Sequence, residues 1–202
     1  MTNIRLSRYC NYEVMEIQIY YQKWDEKSKA SHELLEHVIR IYAKAHQIKL
    51  PETLQIHQEK NKKPFLEHVS DICFSISHSG EWWSCAIAQQ EVGLDIQEEH
   101  DCKAERLAKR FFHPMEVEWL EQHGYENFCR LWAYKESYVK YTGLGLVKGM
   151  DYYSVVKPDG ALTGEEHVWQ KQIAFQSECY MVVTAKQEAE IKLFLLTEQS
   201  KR

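Results

Sequence analysis

The sequence predicts an α+β fold built from two α+β halves, residues 1–97 and 98–202. Strand-type and helix-type patterns follow one another in both halves, and the junction lies near residues 97–102. Of the 202 residues, 44% are hydrophobic, which is enough to bury a sizeable core. Six tryptophans, twelve tyrosines and seven phenylalanines argue against a disordered chain.

The N-terminal half begins with a strand and a helix. The segment IQIYY, residues 17–21, is typical of a strand. In residues 31–46 the apolar side chains recur at helical spacing, and Ser31 is a candidate N-cap. The lysines and proline of residues 61–64 predict a turn. Further strands are predicted at residues 55–58, 72–77, 82–88 and 92–97.

The C-terminal half begins with helices and ends with strands. Residues 104–112 form the first predicted helix, and Pro114 suits the first position of the second. The third helix covers residues 128–141, and two glycines, Gly143 and Gly145, end it. Strands are predicted at residues 152–156, 168–175, 180–184 and 191–196.

Composition narrows the class of protein. A net charge of −5 argues against a surface that coats nucleic acid. No apolar run approaches the length of a membrane span, and the first residues lack the apolar core of a signal peptide, so we expect a soluble, cytoplasmic protein. The six cysteines form no CxxC pair, which favours reduced, buried thiols and makes a zinc site the weaker alternative.

The segment VGLDIQ places a carboxylate inside an apolar strand. Strand alternation puts Gly93, Asp95 and Gln97 on one face of residues 92–97. An aspartate in such a position needs a cation, a backbone donor or a metal to offset its desolvation. The alternative is an aspartate at a strand end that caps a turn.

The segment LWAYKESYVKYTGLGL carries a second charged group. Trp132, Glu136 and Lys140 are four residues apart and share one face of the predicted helix. An exposed Glu–Lys pair is the simpler interpretation, but Lys135 makes such a pair redundant, and Trp132 predicts that this face is partly buried.

Two further segments suggest an anion site. Ser77 and His78 end a strand, yet no Gly-x-Ser-x-Gly pattern surrounds the serine, so a Ser-His hydrolase lacks its nucleophile elbow. Two other interpretations stay open. In the first, the histidine is satisfied by hydrogen bonds within a turn. In the second, the histidine and a hydroxyl group bind a phosphate. The lysine-rich residues 60–64 form either a solvated turn or a contact to an anionic ligand.

Taken in order, these segments resemble the 4'-phosphopantetheinyl transferases, specifically the larger, two-lobed Sfp-type enzymes. The matching segments are KKPFL, FSISHSGEWWSCAIA, VGLDIQ, KRFFHPMEVEWL and LWAYKESYVKYTGLGL, which together span about residues 62–146. The resemblance implies a monomer with two similar lobes related by a pseudo-twofold axis, residues 1–97 and 98–202, and an active site in the cleft between them.

The resemblance also implies a reaction. These enzymes transfer the 4'-phosphopantetheine arm of coenzyme A to a serine hydroxyl of an apo acyl or peptidyl carrier protein. The reaction depends on Mg²⁺ and releases adenosine 3',5'-bisphosphate. The alternative is a non-catalytic module that keeps the fold and binds coenzyme A or a carrier protein. The carrier and its pathway, whether fatty acid, polyketide or nonribosomal peptide synthesis, stay open.

The metal and catalytic residues follow from the same resemblance. Asp95 and Glu136 match the residues that hold the metal, and Gln97 stands where many members carry a third acid. Lys140 is the expected contact of the pyrophosphate. Glu136, Glu116 or a metal-bound water would take the proton of the serine. An uncharged Gln97 predicts a weaker or water-rich magnesium site, and it is the support for the non-catalytic alternative.

Coenzyme A contacts are expected mainly in the N-terminal half. His78 matches the contact of the 3'-phosphate, with Ser77 beside it, and Lys63 matches another contact. Lys29 and His32 are candidates without a sharp motif, as are Lys27 and Arg40. Residues 106–112 (RLAKRFF) offer charge and apolar surface for an acidic carrier protein, although the two phenylalanines suit a core as well.

Overall fold

The computed structural model describes residues 15–24, 31–60, 62–143, 145, 150–163 and 167–197. They form an α+β fold, as the sequence predicts. Four strands make the first sheet in the order β4–β5–β1–β9: β1 (Met15–Lys23), β4 (Cys73–Ser79), β5 (Trp82–Ala88) and β9 (Ala189–Leu195). β1 pairs with β5 antiparallel and with β9 parallel. A short pair, β2 (Ile56–His57) and β3 (Phe65–Leu66), flanks the lysine-rich turn.

The second sheet has three antiparallel strands in the order β6–β8–β7. These are β6 (Val92–Glu98), β7 (Trp169–Ile173) and β8 (Cys179–Ala185). The helices are α1 (Ser31–Ala45), α2 (Ala104–Phe111), α3 (Pro114–His123) and α4 (Phe128–Thr142), and a 3-10 turn covers Tyr125–Asn127. None of the helices in the described ranges is long and apolar enough to cross a membrane.

The two sheets pack against each other through the apolar faces that they turn to one another. In β1, Ile17 and Ile19 point toward the second sheet, where Leu94 and Val183 meet them, whereas Tyr20 faces α1. The opposite face of the second sheet is covered by α4 and the neighbouring helices. The described residues thus form four layers: α1, the first sheet, the second sheet, and the other helices.

Each sheet takes a strand from the other half of the chain. β6 precedes residue 98 but pairs with β8, and β9 lies near the C-terminus but pairs with β1. The hydrogen-bonded sheets therefore cross the expected boundary between residues 97 and 98. The two lobes and their pseudo-twofold relation stay predictions.

The prediction of a strand at residues 152–156 is wrong. Its only strand-type pairing within the described residues is a single bridge from Val156 to Leu162. Backbone groups that a ladder would need are used elsewhere: the Val155 N–H donates to Glu116 Oε1, and the Tyr153 carbonyl accepts from Lys135 Nζ. The segment instead packs over α4, where Tyr153 and Val155 are buried.

Candidate active site

Three serines join the edge strands of the two sheets. β4 is an edge of the first sheet and β6 an edge of the second. Alternate residues of β4 point toward β6, so their hydroxyls take the place of strand carbonyls and satisfy the edge N–H groups. Ser75, Ser77 and Ser79 accept from the N–H groups of Leu94, Ile96 and Glu98 at 2.9, 3.2 and 2.9 Å. We call this arrangement the serine ladder; it fixes β6 beside β4.

A glycine lets α4 lie directly on β6. A Cβ atom at Gly93 would lie 1.9 Å from the carbonyl oxygen of Ser137 and 2.5 Å from the backbone nitrogen of Tyr141, which no side chain can tolerate. The backbones therefore meet without a side chain between them. Because of this close approach, Asp95 on β6 faces the helix that carries Glu136 and Lys140.

Asp95 is the centre of a polar group formed by residues of β4, β6 and α4. Its side chain is 2% exposed. Oδ1 accepts from Ser77 Oγ at 2.7 Å and from Lys140 Nζ at 2.6 Å, and Oδ2 accepts from Gln97 Nε2 at 2.8 Å. Lys140 also donates to Ser77 Oγ at 2.9 Å. The predicted partner for this buried aspartate is thus present, and it is a cation.

Glu136 stands one helical turn before Lys140. Its pKa is raised from 4.5 to about 7, mainly by burial and then by the negative charge of Asp95, whereas the Lys140 ammonium lowers it. A carboxyl with a pKa near 7 is partly protonated and partly ionised at neutral pH, so it can both accept and release a proton there. The structure therefore brings Asp95, Glu136 and Lys140 into one electrostatic group.

Glu136 and Lys140 open into a cavity of about 450 Å³. We call it the cleft. Its walls come from the lysine-rich turn, from β4 and from the C-terminal half of α4 with the glycines that follow it. The lining residues are Gln58, Lys62, Lys63, Pro64, Ser75, Ile76, Glu136, Val139, Lys140, Gly143 and Gly145. Three lysines on its wall make the cleft suited to an anionic ligand with an apolar part.

Glu136 on the cleft wall and Asp95, which is buried next to Lys140, fit a magnesium ion that binds together with phosphates. Mg²⁺ is commonly held by one or two carboxylates, with water and substrate phosphates completing the shell. Asp95 and Glu136 supply two such carboxylates. No group of three or more His, Cys, Asp or Glu side chains suited to a metal occurs in the part of the chain that the structure describes.

Glu116 lies in a different environment. Its side chain and that of Lys135 are both 0% exposed, and Lys135 Nζ donates to its two oxygens at 2.9 and 2.6 Å. The same carboxylate accepts from the N–H group of His113, which makes it part of the capping box of α3. It also accepts from the N–H group of Val155. It does not line the cleft. Its role as a base stays a prediction, which this enclosure disfavours.

The expected coenzyme A contacts are placed unevenly. Lys63 lines the cleft, and the hydroxyl of Ser77 donates a hydrogen bond to the buried Asp95. His78 is exposed on the other side of β4, where its ring packs against Trp24 with centroids 4.6 Å apart. His32 is exposed on α1. Lys29 and Lys27 lie outside the described residues, and Arg40 donates to Glu36 on its own helix.

Other site residues escaped the sequence prediction. The serine spacing of FSISHS was a visible signal for the ladder, but only Ser77 was singled out. Glu91, which binds Lys63, and the buried Lys135–Glu116 pair had no local signal, because each partner is 19 or more residues away in sequence.

Comparisons with known proteins agree on one family. A family model described as the 4'-phosphopantetheinyl transferase superfamily matches residues 91–191. The chain is 37% identical over 108 residues to a 4'-phosphopantetheinyl transferase of Bacillus subtilis, covering 51% of this chain and 48% of the relative. It is 40% identical over 101 residues to the transferase gsp of Aneurinibacillus migulanus, covering 47% and 40%. A longer match, to psf-1 of Bacillus pumilus, is 32% identical over 137 residues and covers 64% and 56%. The chain spans about half the length of the curated relatives it matches.

Proposed function

The chain belongs to the 4'-phosphopantetheinyl transferase superfamily, and we propose that it transfers the 4'-phosphopantetheine arm of coenzyme A to a serine hydroxyl of an apo acyl or peptidyl carrier protein. The single observation that carries this proposal is the group formed by Asp95, Lys140 and Glu136 at a lysine-lined cleft. A carboxyl with a perturbed pKa in a cleft is typical of a functional site, and Mg²⁺ is commonly held by one or two carboxylates together with substrate phosphates.

In this proposal Asp95 and Glu136 would hold Mg²⁺, which supplies positive charge to the pyrophosphate of coenzyme A. Both carboxylates belong to the same electrostatic group. Gln97 donates its amide N–H to Asp95 Oδ2, so it orients that carboxylate. Ligation through the amide oxygen of Gln97 remains part of the proposal.

The lysines of the cleft bind and orient the anionic substrate. Lys140 is 27% exposed, pairs with Asp95 and lines the cleft. It can therefore donate a hydrogen bond to a phosphate oxygen while it keeps its contact with Asp95. Lys63 lines the cleft as well. Positioning of this kind, with neutralised phosphate charge, is the main contribution that a protein makes to phosphoryl transfer.

Glu136 is the favoured base in the proposed reaction. The serine oxygen of the carrier protein forms a bond to the phosphorus that carries the pantetheine arm, and the bond from that phosphorus to adenosine 3',5'-bisphosphate breaks. The proton of the serine goes to the Glu136 carboxylate, whose pKa is about 7 in the protein without metal and would be lowered by a bound Mg²⁺. Glu116 and metal-bound water are the other candidates.

The carrier protein would dock beside α2. Arg106, Lys109 and Arg110 are basic side chains on this helix, and the Arg110 guanidinium lies 5.0 Å from the ring centroid of Phe111. Phe112 is buried in the core, so the apolar contribution expected from both phenylalanines is reduced to the half-buried Phe111. We propose that acidic side chains around the target serine meet this basic surface, and that the protein acts as a monomer.

Intact-mass spectrometry of apo carrier proteins tests the proposal. Acyl and peptidyl carriers from several pathways are incubated with this protein, coenzyme A and Mg²⁺, and a parallel sample contains EDTA. A mass gain of one phosphopantetheine that requires Mg²⁺ is expected. Binding of coenzyme A without a mass gain on any carrier would contradict the transferase and favour the non-catalytic module, with Gln97 as the first residue to examine.

A further inference from the structure

We infer that Glu91 competes with the anionic co-substrate for the ammonium group of Lys63 and thereby sets the affinity of the cleft. The identity of that co-substrate as coenzyme A rests on the proposed function. The competition itself rests on the geometry around Lys63.

Lys63 is held at its end by two acceptors. Its Nζ donates to Glu91 Oε2 at 2.7 Å and to the carbonyl oxygen of Val92 at 2.7 Å. The side chain of Lys63 is 13% exposed, whereas that of Glu91 is 61% exposed. Two of the three N–H donors of the ammonium are thus occupied, so a phosphate that takes more than one of them must displace Glu91. The lysine is therefore anchored, and its carboxylate partner is the solvated member of the pair.

Lys63 lines two neighbouring cavities. One is the cleft, and the other is a cavity of about 470 Å³ that is lined also by Tyr141. Of these two cavities, Glu91 lines only the second. A phosphate in the cleft and the Glu91 carboxylate therefore draw on the same positive charge.

The strength of the competition is modest because Glu91 is solvated. Exposed ion pairs contribute little to stability, so a phosphate with more charge can displace the carboxylate. Breaking the pair between Lys63 and Glu91 nevertheless has a free-energy cost, which weakens the binding of the co-substrate. Removal of the charge of Glu91 should therefore tighten co-substrate binding by about two- to five-fold. The bond from Lys63 to the Val92 carbonyl stays, so the lysine keeps its place.

Isothermal titration of coenzyme A, with Mg²⁺ and without a carrier protein, tests the inference. Glu91→Gln should bind two- to five-fold more tightly than the unmodified protein, an estimate from the weakness of exposed pairs. Lys63→Met should bind more weakly. In the Lys63→Met background, Glu91→Gln should have no effect, because the shared charge is gone. Glu81→Gln is the matched control, since Glu81 is 54% exposed and pairs with Lys23 at 2.6 Å, away from the cleft lining.

The outcomes separate this inference from the proposed function. If the protein binds no coenzyme A, both the function and the inference fail. If coenzyme A binds equally well to the Glu91→Gln variant, or if that variant gains as much in the Lys63→Met background, the inference fails and the function stands. A salt series on Glu91→Gln alone guards against a misfolded lysine variant: its gain must shrink as ionic strength rises, and a constant gain refutes the competition.

Discussion

Replacement of Glu136 by glutamine should make the metal-free protein more stable at alkaline pH. Glutamine has the shape of the protonated carboxyl but cannot ionise. The pKa of Glu136 in the folded protein is about 7, above the value of 4.5 for an exposed glutamate, mainly because of burial and then because of Asp95. A pKa raised by folding means that the protonated form stabilises the folded state. That stabilisation is complete below pH 4.5 and is lost as the pH rises through 7.

The magnitude follows from the size of the change. A difference of one in pKa corresponds to about 1.4 kcal/mol, so a rise from 4.5 to about 7 is worth at most about 3 kcal/mol in the free energy of unfolding. Glu136→Gln avoids this loss, since Asp95 no longer faces a second buried negative charge. The advantage of the variant should therefore grow between pH 5 and pH 7 and stay constant above about pH 8.

Urea denaturation in EDTA at several pH values measures the difference. The exposed glutamate on α3, Glu121, gives a matched control, because Glu121→Gln should shift stability by no more than about 0.5 kcal/mol at any pH. Addition of Mg²⁺ at pH 8 should stabilise the unmodified protein more than Glu136→Gln. A stability difference that does not change from pH 5 to pH 8 would refute the burial of an ionisable Glu136 beside Asp95.

Three further substitutions test how the site is held. Ser77→Ala removes a buried hydroxyl that bonds Asp95 and the Ile96 N–H, so it should cost about 1–3 kcal/mol in urea denaturation; a change near zero would contradict the serine ladder. Gly93→Ala drives a Cβ into α4 and should lower stability by about 3 kcal/mol or more; an unchanged melting temperature would show that α4 does not rest on β6. Lys135→Met leaves Glu116 charged and buried, which should cost about 3–5 kcal/mol, and the added Glu116→Gln should restore part of it; no recovery in the double variant would argue against the pair.

The sequence predicted the polar faces of single elements well. Alternation in VGLDIQ correctly placed Asp95 and Gln97 on one side of β6, where the amide of Gln97 bonds the carboxylate. Helical spacing correctly placed Glu136 and Lys140 on one side of α4, and both line the cleft. These predictions succeeded because strand and helix periodicity are local properties of the chain.

Partners distant in sequence could not be predicted in this way. Lys135 was considered only as a neighbour of Glu136, yet it points away from the cleft to a carboxylate 19 positions earlier. The buried pair it forms with Glu116 also explains the wrong strand at residues 152–156, because the pair binds that backbone. Glu91 had no pattern of its own, and only the fold brings it to Lys63.

The carrier-modification assay with variants of the cleft tests the central claim most directly. Equal amounts of the unmodified protein, Glu136→Gln and Glu121→Gln are incubated with one apo carrier protein, coenzyme A and Mg²⁺, and the carrier is followed by intact mass. We predict that the unmodified protein and Glu121→Gln add phosphopantetheine at the same rate, and that Glu136→Gln loses at least about a hundred-fold, the usual contribution of a base. An undiminished rate for Glu136→Gln would contradict the assignment of this cleft as the active site.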